Sequence, residues 1–319
     1  MPVARFRVVV TDQVFPDVDV ERELFESAGG ELVVARCPEE ARDLITDADA
    51  ILTTYMPMPA ELIAGIGKAK IIARYGIGVD NVDLVAAAAA GIAVTNVPDY
   101  CIEEVATHAV ALMLMLVRHI PQGMAAVAAG GWGVTAIGEV HRLSSLTVGL
   151  LGYGRIGRRV AAAVQALGGH AVIHDPYVSE VSSGRLVGRD ELFATASVLS
   201  VHCPLTPDTR GIVNRETLRT MPPGSYLVNT SRGPIVVLDD LVDALRRGEL
   251  AGAALDVIDA EPPRPDLIAD VPNLIVTPHS AFLSQEALHE SQRKAATQVL
   301  HRLRGEPLDY EVFVSAASA

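Results

Sequence analysis

The stretch that decides the fold is "LTVGLLGYGRIGRRVAAAVQALGG", residues 146–169. An apolar run leads into a turn that contains Gly152, Gly154 and Gly157, and a helical pattern follows at once. The first glycine permits a tight turn, the second lets a pyrophosphate approach the backbone, and the third lets the helix pack closely on the strand. The start of such a helix offers N–H groups and a positive dipole end to phosphate. The stretch therefore predicts a dinucleotide-binding site.

An acidic residue at the end of the next strand supports this interpretation. Asp175 closes the run "HAVIHD", about twenty residues after the glycine turn, at the spacing this motif requires. A carboxylate there accepts hydrogen bonds from the hydroxyls of the adenosine ribose and repels a 2′-phosphate. The next residues, Pro176 and Tyr177, are not basic. The sequence therefore favours NAD (NADH) over NADP.

Similar apolar runs alternate with helical patterns along the whole chain. Most runs are continuous, which is typical of parallel strands covered on both faces. We expect five strands before the break at Pro98 and six after it, in two doubly wound α/β units. The last helix, "SQEALHESQRKAATQVLHRL", is expected to fold back onto the first unit. The predicted domains are residues 1–98 with 285–319, and residues 99–284.

Composition narrows the class of function. The 319 residues suffice for two domains, and the net charge of −13 argues against a nucleic-acid surface. A local pocket on an acidic protein can still bind a small anion. Three widely spaced cysteines, at positions 37, 101 and 203, predict neither a disulfide framework nor a metal site. They are typical of reduced thiols in a cytoplasmic protein.

Two further stretches bear on location. The N-terminal "MPVARFRVVVTD" lacks the apolar core of a signal peptide. The most apolar stretch, "VATHAVALMLMLV", is flanked by charged residues and is too short to span a bilayer. We therefore expect a cytoplasmic protein without a membrane partner, in which this stretch forms a buried or interface helix.

Three strand ends after the glycine turn carry polar groups. Arg232 follows one strand in "NTSRG", Glu261 follows the next in "ALDVIDAEPP", and His279 follows the last in "LIVTPHSAF". Ligands bind beyond the carboxyl ends of the strands in such sheets, so the three side chains are expected to converge beside the nicotinamide. Arginine offers donors to a carboxylate or a carbonyl oxygen, and histidine can carry a proton near neutral pH. A glutamate bonded to the imidazole would favour its charged form.

Taken singly, each of these residues also has an ordinary structural interpretation. Arg232 could be solvated or salt-bridged, Glu261 could lie in a surface loop, and His279 could be a structural histidine. Their common position at one sheet edge, next to a cofactor motif, favours the catalytic interpretation.

The chain resembles the D-isomer-specific 2-hydroxyacid dehydrogenases over nearly its whole length. The motifs that carry the resemblance are "GYGRIG", "CPLTPDTRGIVN", "LVNTSRG", "ALDVIDAEPP" and "VTPHSA". The stretches "ARYGIGVDNVDL" and "NVPDYCIEEVATHAVALMLML" most resemble the branch that includes the C-terminal-binding proteins. The resemblance implies a Rossmann NAD-binding domain, a flavodoxin-like substrate domain, and a homodimer built around residues 101–120.

The resemblance also implies roles for individual residues. Arg232 would bind the substrate carboxylate and keto oxygen, His279 would be the general acid–base, and Glu261 would be its partner. The residues implied to contact the cofactor, beside Gly152, Gly154, Gly157 and Asp175, are Arg155, Ile156, Cys203, Pro204, Thr209, Thr230, Ser231 and Asp256. Those implied to contact the substrate, beside Arg232, are Tyr55, Ile77 and Gly78.

The predicted function is NAD-dependent, D-specific oxidation of a 2-hydroxy acid or reduction of a 2-keto acid. Two alternatives stay open at this point. One is an NAD(H)-sensing, corepressor-like regulator, because the corepressors of the resembling branch keep the same three catalytic residues. The other is a dehydrogenase of phosphite or of a phosphonate keto acid. Thr53 and Thr54 stand in a loop where relatives that act on phosphorylated substrates often carry a basic residue, and Arg74 could supply a charge nearby.

Overall fold

The structure, a computed structural model, describes residues 6–313. The chain divides into two compact units, one of residues 1–100 with 284–319 and one of residues 101–283. The boundaries lie two residues after the predicted junction at 98 and one residue before the predicted junction at 284. Residues 1–5 and 314–319, the two ends of the predicted first domain, lie outside the described residues. The N-terminal stretch that was compared with a signal peptide begins in this undescribed part.

The first unit is built on a five-stranded parallel sheet in the order β2-β1-β3-β4-β5. Its strands are β1 (Arg7–Val10), β2 (Glu31–Val34), β3 (Ala50–Thr53), β4 (Ile71–Arg74) and β5 (Ala93–Thr95). The connecting helices are α1 (Asp19–Ser27), α2 (Pro38–Ile45), α3 (Ala60–Ala64) and α4 (Leu84–Ala89). This strand order is that of flavodoxin-like folds, so the predicted fold class is confirmed for this unit.

The second unit is built on a seven-stranded parallel sheet in the order β12-β11-β10-β9-β6-β7-β8. Its strands are β6 (Thr147–Leu151), β7 (His170–His174), β8 (Arg185–Leu186), β9 (Val198–Val201), β10 (Ser225–Asn229), β11 (Leu250–Leu255) and β12 (Leu274–Val276). The helices are α5 (Ile102–Val117), α6 (Ile120–Ala128), α7 (Arg155–Ala166), α8 (Arg189–Thr195), α9 (Arg215–Thr220), α10 (Leu238–Arg246) and α11 (Pro265–Ile268). The order reverses between β6 and β9, as in the Rossmann fold.

Burial explains why the apolar runs are continuous. Every residue of β3, β4, β9 and β10 is buried, because helices cover both faces of each sheet. The sequence predicted all five strands of the first sheet and six of the seven in the second. The missed strand, β8, has only two residues and carries an arginine, so it gives no apolar run.

The last helix, α12 (Gln285–Arg304), packs on α1 and β4 of the first unit. Its start is capped by Ser284, whose Oγ accepts a hydrogen bond from the Ala287 N–H at 2.9 Å. A buried polar cluster ties it to the sheet, because Gln292 Nε2 and Tyr75 Oη donate to the Glu21 carboxylate at 3.0 and 2.7 Å. Burial raises the pKa of Glu21, although these hydrogen bonds act in the opposite direction.

The apolar stretch 105–117, which was predicted as a buried or interface helix, lies entirely within α5. α5 ends before His119, whose φ of 52° breaks the helix, and α6 follows. The apolar face of α5 is buried in its own unit against α7, β10 and β11, so α5 is a core helix. Several exposed apolar side chains lie on α6 and just after it.

Among the described residues, no single helix is both long and apolar enough to cross a membrane. Ile102–Val117 and Ile120–Ala128 meet the length and composition criteria only as a pair, and the pair is bent by 59°.

Candidate active site

The glycine turn lies between β6 and α7, at the carboxyl edge of the second sheet. Gly152 has a φ of +104°, and a Cβ there would lie 2.6 Å from the Cys203 nitrogen. A Cβ on Gly157 would lie 2.5 Å from the Gly152 carbonyl oxygen. A Cβ on Gly154 would meet no heavy atom within 4 Å. The first and third glycines are therefore required by packing within the protein, whereas Gly154 leaves open space at the start of α7, where a pyrophosphate fits.

Asp175 is held firmly at the end of β7. Its Oδ2 accepts from the Tyr153 N–H at 2.8 Å and its Oδ1 accepts from the Tyr177 N–H at 2.9 Å. Each carboxylate oxygen can accept a further hydrogen bond, so the residue suits ribose hydroxyls. Arg155, the first residue of α7, is exposed at the same turn, and Ile156 is half-buried.

The loop after β9 closes the other side of the turn. Burial raises the pKa of the Cys203 thiol to about 12, so this cysteine stays protonated and contributes packing rather than a nucleophile. Thr209 Oγ1 donates to the Pro204 carbonyl at 2.7 Å and holds the loop together. Ser231 Oγ donates to the Cys203 carbonyl at 2.5 Å, which links this loop to the one after β10.

The loop after β10 carries Arg232, and its shape depends on Asn229. The Asn229 side chain is fully buried, with Oδ1 accepting from the Ser231 N–H at 3.0 Å and Nδ2 donating to the Arg232 carbonyl at 2.9 Å. Asparagine commonly organises turns in this way. Arg232 Nη1 donates to the Ser231 carbonyl at 2.9 Å. The neighbouring Thr230 hydroxyl is buried and has no hydrogen-bond partner within residues 6–313.

Glu261 and His279 meet beyond β11 and β12. His279 Nδ1 lies 2.6 Å from Glu261 Oε2, and the other carboxylate oxygen accepts from the Ile258 N–H at 3.1 Å. Burial acts to raise the pKa of Glu261, whereas the hydrogen bond and the charge of His279 act to lower it. The Ile258 N–H and the charge of Arg232 add to this effect, and the net shift lowers the pKa. Glu261 is therefore an ionised carboxylate at neutral pH.

Asp256 supports the turn that presents His279. Its side chain is almost fully buried and accepts from the N–H groups of Ser280 and Ala281, each at 2.9 Å. Its main-chain carbonyl accepts from the His279 N–H at 2.9 Å. These bonds hold His279 at a φ of 51°, in the left-handed region that few residues adopt. The implied contact of Asp256 with the cofactor stays a prediction.

The implied substrate residues lie in loops of the first unit. Tyr55 is 42% exposed, and its N–H donates to Asp12 Oδ2 at 2.6 Å. The Ile77 carbonyl accepts from Asn96 Nδ2 at 2.6 Å, and Gly78 follows in the same turn. Arg74 is buried, and its Nε donates to the Thr54 carbonyl at 3.0 Å. The substrate contacts of Tyr55, Ile77 and Gly78 stay predictions.

Comparison with known proteins places this site in a family. Residues 110–281 match the model of the D-isomer specific 2-hydroxyacid dehydrogenase, NAD binding domain. The chain belongs to this family. Its second unit is accordingly an NAD-binding domain, and the resemblance and the fold class drawn from the sequence are confirmed at this level. The assignment to the branch of the C-terminal-binding proteins stays a prediction.

Three similar proteins illustrate the range of the family. The D-3-phosphoglycerate dehydrogenase of Mycobacterium leprae is 37% identical over 267 residues, which are 82% of this chain and 50% of that protein. The hydroxypyruvate reductase of Blautia hydrogenotrophica is 34% identical over 85% of this chain and 87% of its own length. The crystal structure of the TT0316 protein from Thermus thermophilus has 34% identity and a TM-score of 0.88, covering 96% of this chain and 99% of that one. The chain spans about half the length of the phosphoglycerate dehydrogenase.

The sequence analysis missed several residues that support the site of this chain. Asn229 stood inside the quoted motif "NTSRG" but was given no role. Thr277 stood in "LIVTPHSAF", and its hydroxyl donates to Asp256 Oδ1 at 2.5 Å. His108 was treated only as part of an apolar helix, yet its Nε2 lies 3.1 Å from Thr277 Oγ1. A single ionisable residue in an otherwise apolar run was the signal that could have identified it.

Within the described part of the chain, no group of three or more His, Cys, Asp or Glu side chains is arranged to hold a metal ion. The three cysteines are all free thiols.

Proposed function

We propose that this chain is an NAD-dependent, D-specific 2-hydroxyacid dehydrogenase that reduces a small 2-keto acid in the reverse direction. The observation that carries the proposal is the 2.6 Å contact between His279 and Glu261, at the carboxyl edge of an NAD-binding sheet. An ionised Glu261 favours the charged form of the imidazole and orients its ring. This arrangement is that of a general acid beside a hydride-transfer site.

Each side chain has one task in the proposed reaction. The nicotinamide, when bound, supplies or accepts the hydride at the carbon that bears the oxygen. Arg232 binds the substrate carboxylate through its planar set of donors and polarises the keto oxygen. His279 gives a proton to that oxygen during reduction and takes it back during oxidation. Glu261 stabilises the charged imidazole between these events.

The cofactor side of the proposal rests on the glycine turn and Asp175. The open space beside Gly154 and the exposed start of α7 suit a pyrophosphate. Asp175 offers two carboxylate oxygens to ribose hydroxyls and repels a 2′-phosphate, which supports NADH over NADPH. Asp256, Thr230 and Ser231 lie at the ends of β10 and β11, on the same sheet edge.

A small, unphosphorylated keto acid is the substrate class we propose. The hydroxypyruvate reductase that covers most of this chain supports it. The loop after β3 carries Thr53 and Thr54 rather than a basic residue, and Thr53 Oγ1 donates to Asp12 Oδ1 at 3.0 Å. Arg74, the cation that the sequence offered to this region, is buried under its own turn. These features offer little to a substrate phosphate.

The test is NADH oxidation against glyoxylate, hydroxypyruvate, pyruvate, phenylpyruvate, oxaloacetate, 3-phosphohydroxypyruvate and phosphonopyruvate, with phosphite and NAD as a separate assay. The expected result is rapid turnover of one of the small acids by the wild type and its loss in His279→Ala. Preference for phosphonopyruvate or phosphite would instead support the alternative function, a dehydrogenase of phosphite or of a phosphonate keto acid. Tight NADH binding without turnover of any compound would support the NAD(H)-sensing regulator.

We also propose a cytoplasmic homodimer. Apolar side chains on α6 and just after it are exposed, as expected of a surface that a second copy covers. They are Ile120, Met124, Val127, Trp132 and Val134, with exposures of 45%, 66%, 55%, 88% and 81%. The surface lies next to the predicted region 101–120 and extends beyond it. The free thiols are consistent with a reducing compartment.

A further inference from the structure

His108 lies in the middle of α5, on a helix that is otherwise apolar around it. Its Nε2 lies 3.1 Å from Thr277 Oγ1 and 3.6 Å from Asp256 Oδ1. The Thr277 hydroxyl has one proton, and it is donated to Asp256 Oδ1. The hydroxyl oxygen can therefore only accept from His108, which means that Nε2 of His108 carries a proton. The direction of each hydrogen bond from His108 to Asp256 is thus fixed.

The chain of hydrogen bonds ends at the turn that carries His279. Thr277 donates to Asp256, and Asp256 accepts in turn from the N–H groups of Ser280 and Ala281. The His279 N–H donates to the main-chain carbonyls of Asp256 and Thr277 at 2.9 and 3.0 Å. Both residues that His108 approaches therefore bond directly to the backbone of the acid–base residue.

This connection matters because the His279 backbone adopts an unfavourable conformation. A φ of 51° persists in a residue other than glycine only where the surrounding structure enforces it. The enforcing groups are the buried Asp256 carboxylate and the two carbonyls. A Thr277 hydroxyl that lost its donor could rotate away from Asp256, and the carboxylate would then lose one of its three donors.

We propose that His108 is a positioning residue: it donates to Thr277, fixes the Asp256 carboxylate, and so holds His279 in place against Glu261. The expected effect on kcat rests on the proposed function. The effect of His108 on the position of the His279 turn does not depend on that function. A purely structural His108, which only satisfies its own polar atoms, would affect stability without affecting the His279 turn.

The test compares three variants on the same helix. His108→Leu removes the donor, His108→Gln restores an N–H near the position of Nε2, and Thr107→Ala is the matched control. Within the described residues, the Thr107 hydroxyl bonds only to carbonyls of its own helix, those of Glu103 and Glu104. We expect His108→Leu to lower kcat about 10-fold, since a small misplacement of a catalytic group is costly even when its cause is remote. His108→Gln should recover most of this loss, and Thr107→Ala should match the wild type.

A double-mutant cycle with Thr277→Val tests whether the two residues act as one unit. Residues in one hydrogen-bond network show strongly non-additive effects. The double variant His108→Leu/Thr277→Val should therefore be no slower than Thr277→Val alone. Fully additive losses would overturn the proposed relay.

Hydrogen–deuterium exchange of the segment 277–283 gives a readout that needs no turnover. Exchange in this segment should be faster in His108→Leu and unchanged in Thr107→Ala, with thermal unfolding measured to exclude global loosening. Unchanged exchange and unchanged kcat in a folded His108→Leu would overturn the proposal. If the wild type turned over none of the acids, the proposed function would fail, while the exchange measurement would still decide the positioning role.

Discussion

At the residue scale, the site depends on environments that the letters alone do not reveal. Glu261 could be named because it follows a strand at the same predicted sheet edge as Arg232 and His279, next to a cofactor motif. The ionisation of Glu261 could not be predicted from the sequence. It results from burial, which raises the pKa, and from His279, Ile258 and Arg232, which lower it. Asp256 holds the His279 turn through bonds to Ser280 and Ala281, 24 and 25 residues away, so no local pattern predicts that role. Asn229 instead bonds within its own turn, to Ser231 and Arg232, and a local pattern could have predicted it.

Replacing Glu261 by glutamine should lower kcat for keto-acid reduction about 100-fold, because an amide does not stabilise a charged imidazole. Because the pKa of Glu261 is lowered, its carboxylate is ionised at neutral and alkaline pH, and the loss should be present across that range. Steady-state rates over a range of pH measure it. Asp259→Asn, a change to an exposed acid of the same loop, is the matched control. Equal rates for the Glu261→Gln variant and the control would contradict the role given to Glu261.

His202 predicts a pH dependence of stability. Burial lowers its pKa from 6.5 to about 4, and Ser200 Oγ lies 2.8 Å from its Nε2. Between these pH values the unfolded chain binds a proton at this residue and the folded protein does not, so stability falls as the pH falls from 6.5 to about 4. We expect a loss of about 2 kcal/mol, less than the full shift implies because part of the residue contacts solvent.

Denaturant unfolding at several pH values measures this contribution. His202→Asn should flatten the curve between pH 6.5 and 4. His170→Asn, which changes an exposed histidine at the start of β7, should leave the slope unchanged. A wild-type slope that persists in His202→Asn would show that other groups cause it.

At the scale of elements, the glycine turn was predictable because its requirements are local. A strand, three glycines and a helix leave one geometry that fits, and the structure shows the close approaches at Gly152 and Gly157 that require it. The break between α5 and α6 was not predictable in the same way. It occurs at His119, whose left-handed backbone is accompanied by contacts of its ring with the Ile137 carbonyl and the Tyr226 hydroxyl, both distant in sequence.

The glycine turn gives a paired prediction. Gly152→Ala should destabilise the protein by about 2 kcal/mol or more, because its φ is +104° and the added Cβ would collide with the backbone at Cys203. Gly154→Ala should fold normally, since its Cβ meets nothing, but should weaken NADH binding by filling the space for the pyrophosphate. Thermal unfolding and NADH titration separate the two effects. Normal NADH affinity in Gly154→Ala would contradict the placement of the pyrophosphate.

At the scale of the whole molecule, the alternation of apolar runs predicted two parallel sheets, because doubly covered strands have a distinctive composition. The order of strands within each sheet came from the structure, since the sequence shows only which runs form strands and not which of them are neighbours. The same holds for the apolar surface on α6. Apolarity was visible in the stretch 105–117, but only packing shows that α5 is internal and that Met124, Val127 and Trp132, beyond the stretch, are exposed.

The proposed homodimer predicts a clear difference between two valines of similar exposure. Val127→Glu should yield a monomer, because it buries a charge in the proposed interface without a partner. Val85→Glu, which changes a valine of 57% exposure on α4, should leave the oligomeric state unchanged. Sedimentation velocity measures both. A wild-type monomer, or a dimer that Val127→Glu does not dissociate, would contradict this interface.

The measurement that tests the central claim most directly is the rate and the product configuration of NADH-dependent keto-acid reduction, in the wild type and in His279→Gln. NADH affinity, measured in parallel, shows whether the cofactor site is intact. We predict a D-2-hydroxy acid from the wild type and a rate about 1,000-fold lower in His279→Gln, with NADH still bound. An L product, or a rate that His279→Gln leaves unchanged, would contradict the proposed function.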